Sequence, residues 1–269
     1  MKTSLGNRLK NPHPLSGLKI WVTRAKSGEK PGKLCQLLEE FGAETIHAPV
    51  VEIVGLDELP DLRTSLDREI EQLEQYATIV FVSSTGVNFF LRRVQELLGG
   101  LNSLSQKQIV AIGPGTADQL TNAGLESQQP RSANSKSLGG LLVHEDIKAP
   151  LLIVRADRGS RELRDILSNA GRRFEEVVAY AIRDQTEPEA EVLAALDGGH
   201  LNWAVATSAS IAAATMDLYG RHLKSIKIMC ISNAVADVFR EHGMQNVLVA
   251  NEPNFVGIRD SLLDNVAGS

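Results

Sequence analysis

The chain has 269 residues, 43% of them hydrophobic and 23% charged, with a net charge of −5. That length can bury a sizeable core, as one large domain or two small ones, and the acidic balance argues against a dedicated nucleic-acid binder, whose affinity rests on Lys and Arg at phosphates. No apolar run approaches the ~20 residues of a membrane span, and the opening MKTSLGNRLKNPHPLSG lacks the apolar segment of a secretory signal, so a loose tail over 1–14 and a cytoplasmic protein are expected.

In chain order, residues 18–23 form a strand ending at Arg24. A helix over about 32–41 follows, with Leu34, Leu37, Leu38 and Phe41 on one face and Gly42 as its stop. Residues 44–47 are the next strand, ended by Pro49, which cannot donate to a central ladder. Residues 50–54 are extended, then Pro60 makes a turn. Leu62, Leu66, Ile70 and Leu73 mark a helix with a charged exterior. Residues 78–82 are a buried strand. Ser83-Ser84-Thr85 supplies caps for a helix carrying Val87, Phe90, Leu91, Val94 and Leu98. Residues 109–124, IVAIGPGTADQLTNAG, read as a strand, a Gly113-Pro114-Gly115 turn, and a helix opened by Thr116 and closed by Gly124. A polar loop (128–137) and a helix near 138–143 come next.

Residues 151–155 form a strand, and Ser160 opens a helix closed by Gly171. A strand over 174–181 contains Tyr180. Pro188 sits in the first turn of a short helix. Strands at 202–207, 227–231 and 247–250 then alternate with helices at 208–219, 233–242 and 255–266. Such alternation implies α/β architecture, with parallel sheets covered by helices on both faces. Cys35 and Cys230 fall in apolar patterns and read as reduced core thiols.

A coarse internal repeat runs through the chain. Residues 228–243, IMCISNAVADVFREHG, align with 109–124 without a gap. Val22-Thr23-Arg24-Ala25 corresponds to Val154-Arg155-Ala156, and Val82-Ser83 to Thr207-Ser208. Offsets of roughly 120–130 residues are too long for a solenoid and suit two similar lobes.

Most enzyme signatures are absent. Gly113-Pro114-Gly115 is a lone GxG, with Asp118 where a dinucleotide fingerprint needs glycine. There is no P-loop, GxSxG or HExxH, and the histidines lack metal-ligand spacing. No metal and no cofactor are therefore expected. What remains is a set of hydroxyls and glycines at strand C-termini: Thr23, Ser83, Ser84, Thr116, Thr207 and Ser208. Each alone reads as a helix cap. Recurrence at matching places in both halves favours a shared role, because ligands gather outside those ends. Arg155, Arg158, Arg161 and Arg164 follow one strand end, either as a solvated face or as binders of carboxylates. On local grounds alone, Tyr180 reads as packing.

These residues together resemble one family. VTRA (22–25), a helix ending FGA (41–43) and a strand ending at Pro49 look like the start of uroporphyrinogen-III synthase. IVFVSSTGV (79–87) is close to the family's FTSxxxV pattern, with Val82 in place of threonine. IGPGTADQLTNAG (112–124) resembles its Gly-x-x-Thr-Ala segment. Arg161, Leu163, Leu167 and Gly171, followed by Val178-Ala179-Tyr180, resemble a late segment, and ATSAS (206–210) a second Thr-Ser element. The resemblance spans about 17–266. Each motif is weak alone, and their order and spacing carry the specificity.

The resemblance implies two doubly wound parallel-sheet lobes joined by a two-strand extended linker. Lobe one is 15–49 plus 184–269, and lobe two is 53–180, inserted. The crossovers are 49–53 and 180–184, with the site in the cleft. The implied reaction closes hydroxymethylbilane to uroporphyrinogen III, inverting the last ring and losing water. It needs positioning and acid catalysis. The implied partner is a small-molecule linear tetrapyrrole, with no nucleic acid and no membrane, on a monomer. Tyr180 matches the family's proposed proton donor. Ser83, Ser84, Thr116, Thr207 and Ser208 would hold substrate carboxylates, with Arg24, Arg155 and Arg161 as cationic helpers. Val235 stands where the second repeat usually offers threonine, and Ser232 where it offers glycine; that lobe-one site would then bind through its backbone. A non-catalytic tetrapyrrole-binding or regulatory module is the rival, favoured by the altered 232–235 turn and disfavoured by the lack of an appended response domain. A periplasmic-type two-lobe binding protein is disfavoured by the missing signal peptide.

Overall fold

The computed structural model describes residues 13–25, 32–144 and 146–267. Residues 1–12 of the expected tail lie outside them. The elements run β1 (Lys19–Val22), α1 (Lys33–Glu39), β2 (Glu44–His47), β3 (Val51–Val54), α2 (Pro60–Glu71), β4 (Thr78–Phe81), α3 (Ser84–Leu98), β5 (Gln108–Ala111), α4 (Pro114–Asn122) and α5 (Ser135–Leu142). They continue with β6 (Leu151–Ala156), α6 (Glu162–Asn169), β7 (Phe174–Asp184), α7 (Ala190–Asp197), β8 (Trp203–Ala206), α8 (Ala209–Tyr219), β9 (Lys227–Cys230), α9 (Asn233–Glu241), β10 (Val247–Val249) and α10 (Phe255–Ala267).

The chain divides into two compact units: residues 1–52 with 183–269, and residues 53–182. The first unit holds a sheet of order β10-β9-β8-β1-β2, and each of its strand pairs is parallel. Read from β2 and ranked by place in the chain, its strands run 2-1-3-4-5, so the direction of winding reverses between β1 and β8. The second unit holds a sheet of order β3-β7-β6-β4-β5. Its β7-β6-β4-β5 portion repeats the same arrangement, entered by the chain at the third strand. There the reversal falls between β6 and β4. A single parallel bridge between Val110 and Gln128 stands where the first unit has β10. The internal repeat thus maps β6 onto β1, β4 onto β8 and β5 onto β9. The two segments that cross between the units, β3 and the end of β7, are neighbours in the second sheet.

Alternation of side chains along the strands loads both faces of the second sheet. Ile79, Phe81, Leu152 and Val154 pack with Leu66, Ile70, Phe90 and Val94 of α2 and α3. Their neighbours Val80, Leu151 and Ile153 pack with Leu138, Leu142, Leu163 and Leu167 of α5 and α6. In the first unit Ile20, Val22, Val205 and Met229 meet Leu34, Leu38, Ile258 and Leu262 of α1 and α10. On the opposite face Trp21 meets Tyr219 edge-on at 4.7 Å, and its indole N–H donates to the Ala48 carbonyl at 2.7 Å. The buried indole thereby keeps a hydrogen bond where water cannot reach.

Several boundaries differ from the sequence reading. Pro60 opens α2 instead of making a free turn, because the first helical position needs no N–H donor. The helix expected from Ser160 begins at Glu162, whose N–H is accepted by the Ser160 hydroxyl at 3.1 Å. Pro188 precedes α7 rather than lying in its first turn. Strand β7 runs on to Asp184, past the residue expected to end it.

Candidate functional site

Ser83 and Arg155 in the second unit, and Thr23, Arg24, Thr207 and Ser208 in the first, lie at or just past the C-terminal ends of the strands flanking the reversal, while Tyr180 on β7 and Thr116 after β5 belong to the next strands out. In the second unit Ser83 follows β4. Its backbone is extended (φ −162°, ψ 151°) and its hydroxyl accepts the Gly86 N–H at 2.9 Å, capping the fifteen-residue α3. Gly86 keeps that spot uncrowded: a Cβ there would lie 3.1 Å from the Ser83 Oγ. Ser84, the first residue of α3, is partly exposed.

Tyr180 on β7 is 7% exposed. Its hydroxyl lies 3.0 Å from the Ser83 Oγ, and its ring stacks on Phe89 of α3 at 5.7 Å and 19° between planes. Asp157, just past β6, donates its N–H to the Tyr180 carbonyl at 3.1 Å, and its carboxylate accepts the Ile182 N–H at 2.9 Å. Asp157 thus pins the backbone from the Tyr180 carbonyl to the Ile182 N–H. Burial pushes the phenol above its usual range, the Ser83 hydrogen bond pulls the other way, and the Asp157 charge adds to the rise.

Thr116 occupies a different place from the one expected. The helix begins at Pro114 with Gly113 as its extended N-cap, and no side chain caps it. Thr116 is the third helical residue, only 5% exposed, because its side chain faces inward as Ala117 and Leu120 do. Its N–H donates to the Gly113 carbonyl at 3.1 Å, and its hydroxyl has no partner among the described residues. A Cβ on Gly113 would come within 2.5 Å of the Ala133 Cβ, whereas one on Gly115 would meet nothing within 4 Å. The N-terminus of α4 is therefore tight on one side and open on the other.

The arginines part company. Arg155 donates to Glu176 at 2.7 Å, and Arg164 donates to the other oxygen of the same carboxylate at 2.6 Å through Nε. Glu176 is nearly buried, so the charge of Arg155 is largely satisfied within the sheet. Arg161, the N-cap of α6, is exposed.

In the first unit Thr23 is fully buried and donates its hydroxyl to the Val205 carbonyl at 2.7 Å. It stitches β1 to β8 and is not available to a ligand. Arg24, the next residue, has its guanidinium over the Phe255 ring at 4.9 Å and no ion pair among the described residues. Burial pulls it below the usual arginine range. Its carbonyl contacts the His47 ring at 3.0 Å. Ser208 caps α8 by accepting the Ile211 N–H at 3.3 Å, with Thr207 partly buried before it. Ser232 is the N-cap of α9 but makes no capping bond. Val235, third in that helix, is 3% exposed. It fills the position that Thr116 fills in α4.

Phe89, Asp157 and Glu176 were not singled out from sequence. Phe89 could have been, as an aromatic lying off the core stripe of Val87, Phe90, Leu91 and Val94. Asp157 and Glu176 carry no local signal; strand pairing alone brings them to Tyr180 and Arg155. Among the described residues no group of three or more His, Cys, Asp or Glu could hold a metal ion, and no helix is long and apolar enough to cross a membrane.

The family model for uroporphyrinogen-III synthase HemD matches residues 32–259. A curated relative, the porphyrin biosynthesis protein HemD of Ruminiclostridium josui, is 26% identical over 259 residues. That match takes in 95% of this chain and 50% of the relative, so the chain spans about half of the relative's length. Among solved structures, a uroporphyrinogen III synthase variant from the extreme thermophile Thermus thermophilus aligns over 93% of this chain and 99% of its own, with TM-score 0.59 and 18% identity. The enzyme from Helicobacter pylori 26695 aligns over 92% and 99%, with TM-score 0.56 and 17% identity. These two share the fold described above, and the family match covers the strand ends where Ser83, Thr116, Tyr180 and Ser208 lie: the chain belongs to the uroporphyrinogen-III synthase family.

Proposed function

We propose that this chain is a lyase that converts hydroxymethylbilane to uroporphyrinogen III and water, inverting the last pyrrole ring. The observation that carries the reading, beside family membership, is the Tyr180 hydroxyl held at the N-terminus of α3 through Ser83. In this reading Tyr180 gives its proton to the terminal hydroxyl of the substrate. The C–O bond breaks, water leaves, and the pyrrole nitrogen supplies the electrons that leave an azafulvene cation. The substituted carbon of the last ring attacks it to form a spiro intermediate. That intermediate opens and recloses at the other carbon, which loses a proton, and the phenolate of Tyr180 recovers one. No net proton or redox equivalent is consumed.

The linear substrate closes unaided to the uninverted isomer, so much of the protein's task is to fix its fold. Substrate carboxylates would take the N–H groups at the open side of α4 with Thr116, those of α3 beside Ser84, and those of α8 at Thr207 and Ser208. Of the candidate arginines, Arg24 and Arg161 have no carboxylate partner among the described residues; Arg155 acts from within its pair with Glu176. The two unpaired buried thiols, Cys35 and Cys230, suit a reducing compartment, and we place the protein in the cytoplasm as a monomer.

Turnover of hydroxymethylbilane by the Tyr180→Phe protein tests this assignment. A positioned acid is worth ~10²–10⁴ in rate. The pyrrole nitrogen already activates the leaving group, so the loss should lie at the low end, with the isomer III preference retained. Unchanged turnover in a folded variant would remove Tyr180 from the mechanism.

A further inference from the structure

A phenol is a weak acid, with an ordinary pKa near ~10. Tyr180 is also buried, which disfavours the phenolate left behind when its proton departs. Something must stabilise that oxygen at the moment of transfer. The hydrogen bond to Ser83 has two polarities, and the rest of the geometry selects between them. A hydroxyl has one hydrogen and two lone pairs. The Gly86 N–H occupies one lone pair of Ser83 Oγ at 2.9 Å. If Tyr180 donated to the other, its proton would be spent inside the protein. If Ser83 donates to Tyr180 Oη, the phenol proton is free to point at a substrate.

We propose that Ser83 is a positioning residue that donates its hydroxyl hydrogen to the Tyr180 phenol oxygen, relaying the N-terminal field of α3 to the atom that becomes the phenolate. The chain of donors is Gly86 N–H to Ser83 Oγ–H to Tyr180 Oη. Each bond polarises the next, and the positive end of a helix favours negative charge within its first turn. The same helix fixes the ring itself. Phe89 stacks on Tyr180 and is backed by Gly55, where a Cβ would lie 3.3 Å from the Phe89 ring. One helix therefore sets both the plane of the phenol and the direction of its proton. This inference rests on Tyr180 being the acid. It differs from the sequence reading of Ser83, which made it a holder of substrate carboxylate.

Substitutions at the cap separate these roles. Ser83→Ala loses both the cap and the donor. Ser83→Asp caps as well as serine but has no hydrogen to donate when ionised. Ser83→Thr keeps both. With hydroxymethylbilane as substrate, the Ala and Asp variants should each lose about tenfold or more in kcat, within the range for acid catalysis. KM for Ser83→Ala should stay within about twofold, as expected when only a transition-state interaction is lost. Ser83→Thr should recover most of kcat, and the Asp change should add no further loss on a Tyr180→Phe background. A second readout is independent of turnover. The chain has three tyrosines, so protein labelled with 3-fluorotyrosine gives three ¹⁹F resonances, and Tyr180→Phe assigns one. That resonance should move in the Ala and Asp variants and stay near its place in Thr. Wild-type kcat in Ser83→Asp, a raised KM at unchanged kcat in Ser83→Ala, or an unmoved resonance would each overturn the proposal. Loss in Tyr180→Phe without loss in Ser83→Asp would sink the Ser83 role alone. Wild-type turnover in Tyr180→Phe would sink the acid reading and this inference with it.

Discussion

Thr116→Val isolates the hydroxyl at the head of α4. The protein contains its own control: Val235 occupies the equivalent position in α9 and is equally buried. Valine therefore fits this site in this fold. The Thr116 hydroxyl has no partner among the described residues, so its removal breaks no hydrogen bond among them. The atom is not sealed from solvent either. The expected stability change is within about 1 kcal/mol and zero or favourable, a rise in Tm of at most about 4 °C for a unit whose size lies between small and mid-sized domains. Binding should behave differently. A hydrogen bond to a charged group is worth ~1.5–3 kcal/mol, so losing one to a substrate carboxylate should raise KM roughly 10- to 150-fold. The assay is steady-state cyclisation of hydroxymethylbilane alongside a thermal melt. A KM unchanged within twofold would refute the carboxylate role. A fall in Tm of many degrees would show that the hydroxyl is bonded inside the protein after all.

The other expectations concern glycines, a cation and pH. Gly115→Ala should leave the melt unchanged, because its Cβ meets nothing within 4 Å, yet raise KM by crowding a ligand; Gly113→Ala should lower stability, because its Cβ would lie 2.5 Å from the Ala133 Cβ. A stable Gly113→Ala or an unaffected KM in Gly115→Ala would contradict this. Arg24→Gln should raise KM several-fold with Tm within about 2 °C, since among the described residues a cation–π contact of ~0.5–1 kcal/mol is lost and no ion pair is broken; equal KM values would remove Arg24 from the site. Asp67 accepts from both Nε and Nη2 of Arg93 at 2.6 Å, which holds its carboxyl below the usual carboxylate range. A depressed folded-state pKa gives stability that is present above the unfolded value of ~3.9 and lost as pH falls through the folded one. Asp67→Asn should therefore lower Tm at pH 7, and its gap from wild type should close as pH falls through the depressed folded-state value; a gap that persists once the carboxyl is protonated would refute the pairing.

Elements were readable where periodicity and punctuation agree. Residues 44–47 are a strand with the expected limits, and Gly42, Gly99, Gly124 and Gly171 take the positive φ that ends their helices. The sheet order was foreshadowed by the repeat, because a repeat of strand–helix units winds the same way twice. Contacts between residues far apart in sequence were not readable. Thr116 looked like a cap because it follows Gly-Pro-Gly, but proline is itself a good first helical residue, so the cap falls three residues sooner, at Gly113, and Thr116 turns inward. Arg155 looked like a free cation until β7 brought Glu176 alongside β6. Tyr180 was legible only through family resemblance. Its partners Ser83, Phe89 and Asp157 come from two other strand ends, and a local reading could not unite them.

The most direct measurement is the isomer composition of the cyclised product. Freshly made hydroxymethylbilane is incubated with purified protein and, in parallel, with buffer alone. The porphyrinogens are oxidised and the isomers separated. The expected result is mainly isomer III with protein and the uninverted isomer in buffer, at a rate proportional to protein concentration. The same uninverted product in both vessels would contradict the enzyme reading and leave a tetrapyrrole-binding protein on this fold.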